Sequence, residues 1–254
     1  MVMVQNNSSE FPIIRSELFN RIPGLMFGMS TRIGGTSQGS FGMNTSFNVG
    51  DREENVHENR SRFFSALGIS PDRIVVPRQI HGSAVRIVNE PGTIAQCDGL
   101  ITAERGLFLS VSVADCLPII LVDRKSRTLA VLHGGWRGTC SGVVSVALGM
   151  MRKELYVDPA NLSCYIGPGA RSCCYEVGEE VACQFDERFV IQLVDRKYLL
   201  DLPGHNRDVL IREGVPEKFI EVSEKCTICS PELLHSYRRD GARSGRMMAI
   251  AGFL

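Results

Sequence analysis

The chain has 254 residues, of which 44% are hydrophobic, and this is enough apolar material for a sizeable buried core. It carries 28 basic and 28 acidic side chains, so no overall field attracts nucleic acid or an anionic membrane surface. No apolar stretch approaches the roughly 18 to 20 residues of a membrane span, and no basic and apolar leader is seen, so a cytoplasmic protein is expected.

The nine cysteines are an odd number in a chain without a secretory leader. This favours reduced thiols with metal-binding or catalytic uses over a disulfide framework. No repeat, low-complexity tract or long linker divides the sequence. Residues 11–254 are therefore predicted to form one domain, with residues 1–10 as a loose tail.

The first predicted elements are a strand at 25–30, which ends in a polar turn rich in glycine, and a helix at 52–67. The helix is predicted from apolar residues at near-helical spacing, and Gly68 follows as its C-cap. The middle of the chain is typical of β structure, with strands predicted at 74–77, 84–88, 99–102, 107–113, 119–122 and 128–132.

The second half of the chain mixes helices and strands. Helices are predicted at 141–155, 177–185 and 209–213, strands at 162–166 and 247–253, and a hairpin turn at Asp240-Gly241. Because the strands are not joined regularly by helices, the pattern favours an α+β fold with a mixed β-sheet flanked by helices over a doubly wound fold.

Three candidate metal ligands each follow or precede a predicted strand. His81 lies in the segment QIHG, Cys116 in ADCLP, and His133 enters a loop with three glycines. Two imidazoles and one thiolate suit Zn²⁺, and three protein ligands leave the fourth position open for water or substrate. Their spacing requires convergence through the tertiary fold, so a buried thiol and two ordinary loop histidines are the alternative.

A reading without metal is also consistent with these residues. Cys116 is then a nucleophile activated by His133, with Asp115 as the orienting group, which is the pattern of a cysteine hydrolase. The sequence does not decide between a thiolate ligand and a thiolate nucleophile.

A second cysteine group consists of Cys226 and Cys229, with C-x2-C spacing, and the adjacent pair Cys173 and Cys174. Structural zinc sites normally use two well-spaced pairs, and adjacent cysteines match this geometry poorly. We therefore do not expect a closed site of four cysteines, nor a redox dithiol, since the thioredoxin-like context is missing.

Polar residues in the glycine-rich turns are candidates for substrate binding. Arg32 and Arg137 can meet an anion such as phosphate, although surface ion pairing is the common role of a single arginine. Asn44 and Asn48 can bind substrate hydroxyl or amide groups, or cap turns. Trp136, the single tryptophan, either stacks on substrate or packs to hold its loop.

The basic C-terminal segment offers a further candidate surface. Arg238, Arg239 and Arg246 are predicted to form an anion-facing or interface patch, if they are not simply part of a structural turn. Neither a Walker loop nor a dinucleotide fingerprint occurs, which makes a tightly bound nucleotide cofactor unexpected.

A set of motifs spans residues 25–254 in a fixed order: TRIGG, GMNTSFNVGD, QIHG, CDGLIT, ADCLPI, HGGWRGT, IGPGARSCCYEV and SYRRDGARSGRMMAIAG. By these motifs the chain resembles the YfiH-type proteins, also called the laccase-domain or multicopper polyphenol oxidase family. The resemblance implies a zinc site of His81, Cys116 and His133. It also implies phosphorolysis of adenosine, inosine and S-methyl-5′-thioadenosine, and deamination of adenosine.

In this picture the small-molecule partners are a purine nucleoside and phosphate, with no nucleic acid or membrane partner, and the oligomeric state stays open. Arg32 and Arg137 are candidates to hold phosphate, and Asp115 and Asp98 are candidate general acids or bases. The family pattern departs here at Gly169-Ala170-Arg171-Ser172, where a more apolar filling is usual, so contacts near this segment are open.

The family name also raises the question of copper. The five histidines are too few for a four-copper cluster, although Cu²⁺ is an alternative metal for the three-ligand site. Other members are described as phenol oxidases or as cytoplasmic factors that edit peptidoglycan precursors. A cysteine or metal hydrolase of such precursors, and a metal-binding interaction protein without turnover, are therefore alternatives.

Overall fold

The computed structural model describes residues 11–254, and the tail expected at 1–10 lies outside the described residues. The strands are β1 (Ile13–Ile14), β2 (Leu25–Ser30), β3 (Ile74–Pro77), β4 (Val85–Ile87), β5 (Gly92–Ile94), β6 (Gly99–Thr102), β7 (Phe108–Val113), β8 (Leu117–Asp123), β9 (Leu129–Gly134), β10 (Leu162–Ile166), β11 (Glu176–Gly178), β12 (Val190–Gln192), β13 (Lys197–Leu200), β14 (Ile220–Val222) and β15 (Met247–Phe253). The α-helices are α1 (Glu53–Leu67), α2 (Trp136–Cys140), α3 (Val143–Glu154), α4 (Glu179–Ala182), α5 (Leu202–Arg212) and α6 (Tyr237–Asp240).

The described strands form two six-stranded sheets and one three-stranded sheet. The first sheet has the order β1-β2-β15-β7-β3-β5, in which β3 pairs parallel with β7 and with β5. The second sheet has the order β14-β10-β8-β9-β6-β4 and is parallel only at its two edges. The α+β class with mixed sheets and flanking helices is confirmed, but three sheets replace the single one expected.

The two large sheets pack face to face and bury both of their surfaces. In β15, Met247, Ala249, Ala251 and Phe253 point into the core between the sheets, which also contains side chains from β8 and β9 of the second sheet. The alternate residues Met248 and Ile250 pack instead against α1 on the outer side. Strands buried on both faces read as continuous apolar runs, which is why these strands were visible in the sequence.

The outer face of the second sheet is covered by α3 and α5. Leu132 of β9 and Ile119 of β8 pack there against Val144, Leu148 and other apolar residues of α3. The layers therefore follow the order helix, sheet, sheet, helix. None of the described helices combines the length and apolarity that crossing a bilayer requires.

Most predicted elements are confirmed, with several of the strands matching end to end, and three predictions are wrong. The segment 177–185 is not one helix, because Glu176–Gly178 is a strand paired with β13 and α4 begins only at Glu179. The helix expected at 209–213 begins earlier, at Leu202, after Asp201 caps it through Gly204 N–H. The predicted hairpin at Asp240-Gly241 is instead the end of α6, followed by a short 3₁₀ turn.

His235 is a fully buried histidine whose two ring nitrogens have no hydrogen-bond partner among the described residues. Burial, reinforced by the nearby charges of Arg32 and Arg246, lowers its pKa to about 3. The unfolded chain binds a proton below its ordinary pKa of about 6.5, whereas the folded protein does not, so stability is lost as pH falls from about 6.5 toward 3.

Replacing this histidine is therefore expected to change the pH dependence of folding. This histidine should make the unfolding free energy of wild type fall by about 2 kcal/mol between about pH 7 and about pH 5. His235→Leu should not show this part of the fall. Urea denaturation at both pH values measures this, with the exposed His57→Gln as control. An equal pH dependence in wild type and His235→Leu would contradict the assignment.

Candidate active site at one end of the second sheet

Antiparallel pairing of β8 with β9 brings two of the candidate ligands together. Cys116 directly precedes β8, and His133 lies near the end of β9, opposite Pro118. The N-terminal end of one strand therefore meets the C-terminal end of its neighbour. This register, and not the spacing along the chain, places the thiol and the imidazole at the same edge of the sheet.

Asp98 holds the third candidate ligand, His81, at the same edge of the second sheet. It precedes β6, whose Gly99 pairs with Leu132 of β9, and it is fully buried. Its Oδ1 lies 2.8 Å from Nδ1 of His133 and also accepts the His81 N–H at 2.9 Å. Its Oδ2 accepts N–H bonds from Ile80 and Gly82. One carboxylate thus orients His133 and holds the loop that carries His81.

The loop of His81 is further fixed by its neighbours. The Gln79 side-chain amide exchanges two hydrogen bonds with the backbone of Ser112 in β7. His81 itself has a φ of +59°, a conformation that non-glycine residues adopt only when the surroundings impose it. The loop is therefore preorganised to present the imidazole.

The three ligand atoms offered by His81, Cys116 and His133 all lie within 4.8 Å of one another. The two imidazole rings meet edge to face, with centroids 4.8 Å apart. His133 is buried, Cys116 is half-buried and His81 is exposed, so the group opens to solvent on one side. Two nitrogens and one sulfur with an open side fit a zinc ion that keeps a position for a further ligand.

The titration properties of the ligands follow from their closeness. Burial acts to raise the pKa of Cys116, but the charge and hydrogen bonds of His133 and His81 outweigh it and lower that pKa to about 6. Burial acts to lower the pKa of His133, but the Cys116 thiolate and Asp98 raise it to about 9. The thiol and the imidazole thus stabilise each other's charged forms, thiolate and imidazolium, and a bound metal would replace the imidazolium proton.

Gly135 makes room for the three ligands. A Cβ at this position would lie 3.0 Å from the Cys116 sulfur, 3.7 Å from the His81 ring and 3.9 Å from the His133 ring. Its φ of −77° is open to any residue, so the space, not the backbone conformation, requires glycine.

Gly135→Ala is expected to weaken metal binding while leaving the fold intact, because the added methyl group must push the Cys116 sulfur out of place. We expect roughly a tenfold loss of affinity or more, the range seen when groups around a metal site are disturbed. Competition with a chelating dye measures it. Gly149→Ala in α3, where a Cβ meets nothing within 4 Å, is the control; equal affinity in both variants would contradict the packing argument.

Asp115 is held by other parts of the protein. Its Oδ1 accepts a hydrogen bond from the Thr227 hydroxyl at 2.6 Å, and its Oδ2 accepts one from the Arg238 N–H at 2.6 Å. Its carbonyl oxygen accepts the Ala170 N–H. Asp115 thus connects the segment of Cys116 to Thr227 and Arg238, and Asp98 orients His133; their candidacy as general acids or bases stays a prediction.

Charged and aromatic side chains interact with the residues of this group and their neighbours. Burial, followed by the negative charge of Cys116, raises the pKa of Tyr175 to about 12. The positive charges of Arg238 and Arg137 act in the opposite direction. Arg246 interacts electrostatically with Asp115 and Cys116. Its guanidinium carbon also lies 5.3 Å from the ring centre of Tyr237. Cationic and aromatic side chains thus interact electrostatically with Cys116 and its neighbour Asp115.

The other predicted substrate residues have different surroundings. Arg32 donates hydrogen bonds to the carbonyls of Pro231 and Ser40. Asn44 is fully buried, and its amide bonds Ser46, Asp51 and the Arg246 N–H. Asn44 therefore acts within the described structure by positioning the Arg246 backbone, which corrects the expectation of an open substrate contact.

The last two predicted residues lie at the surface or against the core. The Asn48 side chain is exposed. Trp136 packs against the core under the second sheet, and the guanidinium of the exposed Arg137 lies 4.3 Å from its ring centre. Packing, one of the two roles considered for Trp136, is what the structure shows, and the ring also supports Arg137.

Comparison with known proteins places these features in a family. A sequence model described as "Multi-copper polyphenol oxidoreductase laccase" matches residues 26–253. The chain belongs to this family. It is 33% identical to the purine nucleoside phosphorylase YlmD of Geobacillus stearothermophilus, over 90% of each chain. It is also 33% identical to the adenosine deaminase RL5 of an unknown prokaryotic organism, over 81% of this chain and 84% of that one.

The structural comparison agrees with the sequence comparison. The crystal structure of YlmD from Geobacillus stearothermophilus superposes with a TM-score of 0.93 at 30% identity, covering all of this chain and 99% of that one. The YfiH-type resemblance and the fold that it implies are confirmed. With relatives named as phosphorylases and a deaminase, the laccase-domain family here is a family of enzymes.

The distribution of histidines in the described residues does not match a multicopper centre of the laccase type. Among the described residues, only two groups bring three or more histidine, cysteine or acidic side chains close enough for a metal, and only the group of His81, Cys116 and His133 contains histidine. His57, His205 and His235 lie outside both groups. Within residues 11–254, the histidines are therefore not gathered into the ligand set that a four-copper cluster requires.

Sequence reasoning missed two features of this site. The orienting role of Asp98 was not recognised, although its segment CDGLIT had been singled out. Tyr175 was also missed, although it directly follows the cysteine pair in the motif IGPGARSCCYEV. Both depend on contacts between segments far apart in the chain, which no local pattern reports.

Proposed function

We propose that this laccase-domain protein is a zinc-dependent purine nucleoside enzyme. It cleaves adenosine, inosine and S-methyl-5′-thioadenosine with phosphate, and it deaminates adenosine. The observation that carries this proposal is the open group of His81, Cys116 and His133, whose ligand atoms lie within 4.8 Å of one another and whose Cys116 interacts electrostatically with Tyr175 and Arg246. The names of the relatives, a phosphorylase and a deaminase, support the substrate class.

The arginines supply the binding of phosphate. Arg137 is exposed beside the metal ligands, and the half-buried Arg246 faces Cys116 and Asp115. Guanidinium groups bind phosphate oxygens in pairs, so these two residues are our candidates to hold the phosphate next to the ribose. Arg32 is bound to two backbone carbonyls, and its role becomes that of shaping the neighbouring loop.

Phosphorolysis needs an attacking oxygen, a leaving base and a proton for that base. A phosphate oxygen forms a bond to C1′ of the ribose, and the bond from C1′ to the purine nitrogen breaks with its electron pair on the purine. Tyr175, with a pKa of about 12, stays protonated at neutral pH and is our candidate hydrogen-bond donor for the departing purine. The products are the free base and ribose 1-phosphate.

His81, Cys116 and His133 would hold the zinc ion, which would supply Lewis acidity toward water and oxygen atoms. Asp98 holds the Nδ1 side of His133, so that Nε2 faces the ligand group. In deamination, water adds at the purine carbon that bears the amino group, and ammonia leaves.

The protein is proposed to act in the cytoplasm. All nine cysteines lie in the described part of the chain and are unpaired, which fits a reducing compartment. Copper in the same three-ligand site is the alternative metal, because Cu²⁺ binds such nitrogen and sulfur ligands more tightly than Zn²⁺.

Product analysis tests the function directly. The zinc-loaded full chain is incubated with adenosine or inosine, with and without phosphate, and the products are separated by chromatography. We expect hypoxanthine and ribose 1-phosphate from inosine only with phosphate, and inosine from adenosine without it. A copper-loaded sample with a phenol, and a sample with muropeptides, complete the set.

Each outcome assigns or rejects the proposal. Phosphate-dependent base release supports it. A zinc-loaded protein that is inert toward every purine nucleoside would overturn it, whether it cleaves muropeptides, oxidises phenols only with copper, or shows no turnover and acts as a metal-binding interaction protein.

A further inference from the structure

Four cysteines outside the active site converge on one point of the surface. Cys173 and Cys174 come from a turn before β11, and Cys226 and Cys229 come from the segment after β14. Their four sulfur atoms all lie within 4.8 Å of one another. The four sulfurs converge although adjacent cysteines were expected to match a C-x2-C pair poorly. We call these four residues the four-cysteine cluster.

The turn explains why adjacent cysteines can share a ligand position. In a strand, neighbouring side chains point to opposite faces, but Cys173 and Cys174 lie in a turn closed by hydrogen bonds from the Cys174 and Tyr175 N–H groups to the Arg171 carbonyl. Both sulfurs approach Cys229, at 3.6 Å and 2.9 Å. Neither separation is that of a disulfide, in which the sulfurs are about 2.05 Å apart.

The separations suit a tetrahedral metal site. With metal–sulfur bonds of about 2.3 Å, the sulfurs of a tetrahedral site lie about 3.8 Å apart. Binding an ion requires Cys174 and Cys229 to move apart by less than about 1 Å, which rotation of two exposed or half-exposed side chains permits. The remaining sulfurs already lie near the required distances.

The surroundings of Cys226 are those of a prepared thiolate ligand. Cys226 is buried, and the backbone N–H groups of Cys229, Arg171 and Ile228 act on its sulfur in the direction that lowers its pKa. Such N–H donors stabilise a metal-bound thiolate and orient it. Four thiolates and a divalent ion carry a net charge of minus two, and the Arg239 guanidinium lies close by, donating to the carbonyls of Thr227 and Ile228.

We infer that the four-cysteine cluster binds a structural zinc ion, distinct from the metal of the active site. Each thiol releases its proton when it binds, and no oxidation or reduction is involved. Four protein ligands close the coordination shell, so this ion has no position for substrate.

The position of the cluster indicates what the ion does. Cys226 forms a β-bridge with Gly169, and the hydroxyl of the adjacent Thr227 donates a hydrogen bond to Asp115. Tyr175, which borders the active site, follows Cys174 directly. The ion therefore ties together the two segments that hold Asp115 and Tyr175 beside the catalytic ligands.

Metal stoichiometry tests this inference without relying on activity. Protein prepared with zinc under reducing conditions is desalted and analysed by mass spectrometry of the metal. We expect two zinc ions per chain in wild type, one in Cys116→Ala and one in the double variant Cys226→Ser and Cys229→Ser. Cys183→Ser, an exposed cysteine outside both groups, should keep two.

The Cys116→Ala protein decides the matter even if the double variant does not fold. Cobalt added to metal-free Cys116→Ala should give intense thiolate-to-metal charge-transfer absorption, which mutation of the four-cysteine cluster removes. A Cys116→Ala protein without zinc and without this absorption would overturn the inference. So would alkylation under native conditions showing that the four cysteines form disulfides in the zinc-treated protein.

Discussion

Cys116→Ala is expected to abolish phosphorolysis and deamination and to remove zinc from the active site. Two imidazoles without the thiolate leave too few ligands for a tightly held zinc ion. Metal catalysis supplies several kcal/mol of transition-state stabilisation, and about 4 kcal/mol corresponds to about a thousandfold in rate. Initial rates at saturating inosine, phosphate and zinc, with equal protein concentrations, measure the loss.

The control separates chemistry from folding. Cys183→Ala alters an exposed cysteine far from these ligands in the sequence and should keep wild-type rates. Cys116 is half-buried at the edge of its sheet, so the metal-free alanine variant should keep the thermal unfolding midpoint of metal-free wild type within a few degrees. A Cys116→Ala enzyme with more than about a tenth of wild-type activity would contradict the assigned role.

Asp98→Ala is expected to cause the largest combined loss of stability and metal binding. The carboxylate is fully buried and accepts hydrogen bonds from His133 and from three backbone N–H groups at 80–82. Its removal leaves these donors unpaired, so we expect a loss of about 3 to 5 kcal/mol in unfolding free energy. Zinc affinity should fall by about 10- to 100-fold because His133 loses its orienting partner.

Asp98→Asn keeps the volume but not the pattern of acceptors. In either orientation of the amide, its NH₂ group faces N–H donors, because Oδ1 and Oδ2 of Asp98 both accept such bonds. We therefore expect this variant also to lose zinc affinity. Titration with zinc and urea denaturation measure the two effects.

Asp123→Asn is the matched control for the Asp98 variants. Asp123 is also a buried acid, at the far end of β8, where it bonds the turn of Lys125 and Ser126. This variant should lose stability without losing zinc affinity. Equal zinc affinity in Asp98→Asn and wild type would show that the carboxylate serves the fold alone.

The central strands were predictable because their environment leaves a simple pattern. Leu162–Ile166 and Met247–Phe253 are buried on both faces, and their apolar runs have the observed boundaries. The same logic fails at Glu176–Gly178, which is a short strand only because β13 pairs with it. The N-terminal part of α5 was missed because the proline and glycine of Asp201-Leu202-Pro203-Gly204 also favour a turn.

The candidate site was predictable in its ligands and not in its architecture. His81, Cys116 and His133 were selected by their chemistry and by the family resemblance, and the structure brings them together. Their convergence depends on the pairing of β8 with β9, which the sequence does not reveal. The four-cysteine cluster was rejected for the same reason, since a turn at Cys173 and Cys174 changes the directions that spacing alone suggests.

The dependence of phosphorolysis on zinc tests the central claim most directly. Wild-type protein is stripped of metal with a chelator, its rate with inosine and phosphate is measured, and zinc is then added back in steps, with Cys116→Ala treated in parallel. The proposed site predicts no hypoxanthine from stripped protein, recovery of the wild-type rate on zinc addition and no recovery in Cys116→Ala. Undiminished phosphorolysis by protein shown to contain no metal would contradict it.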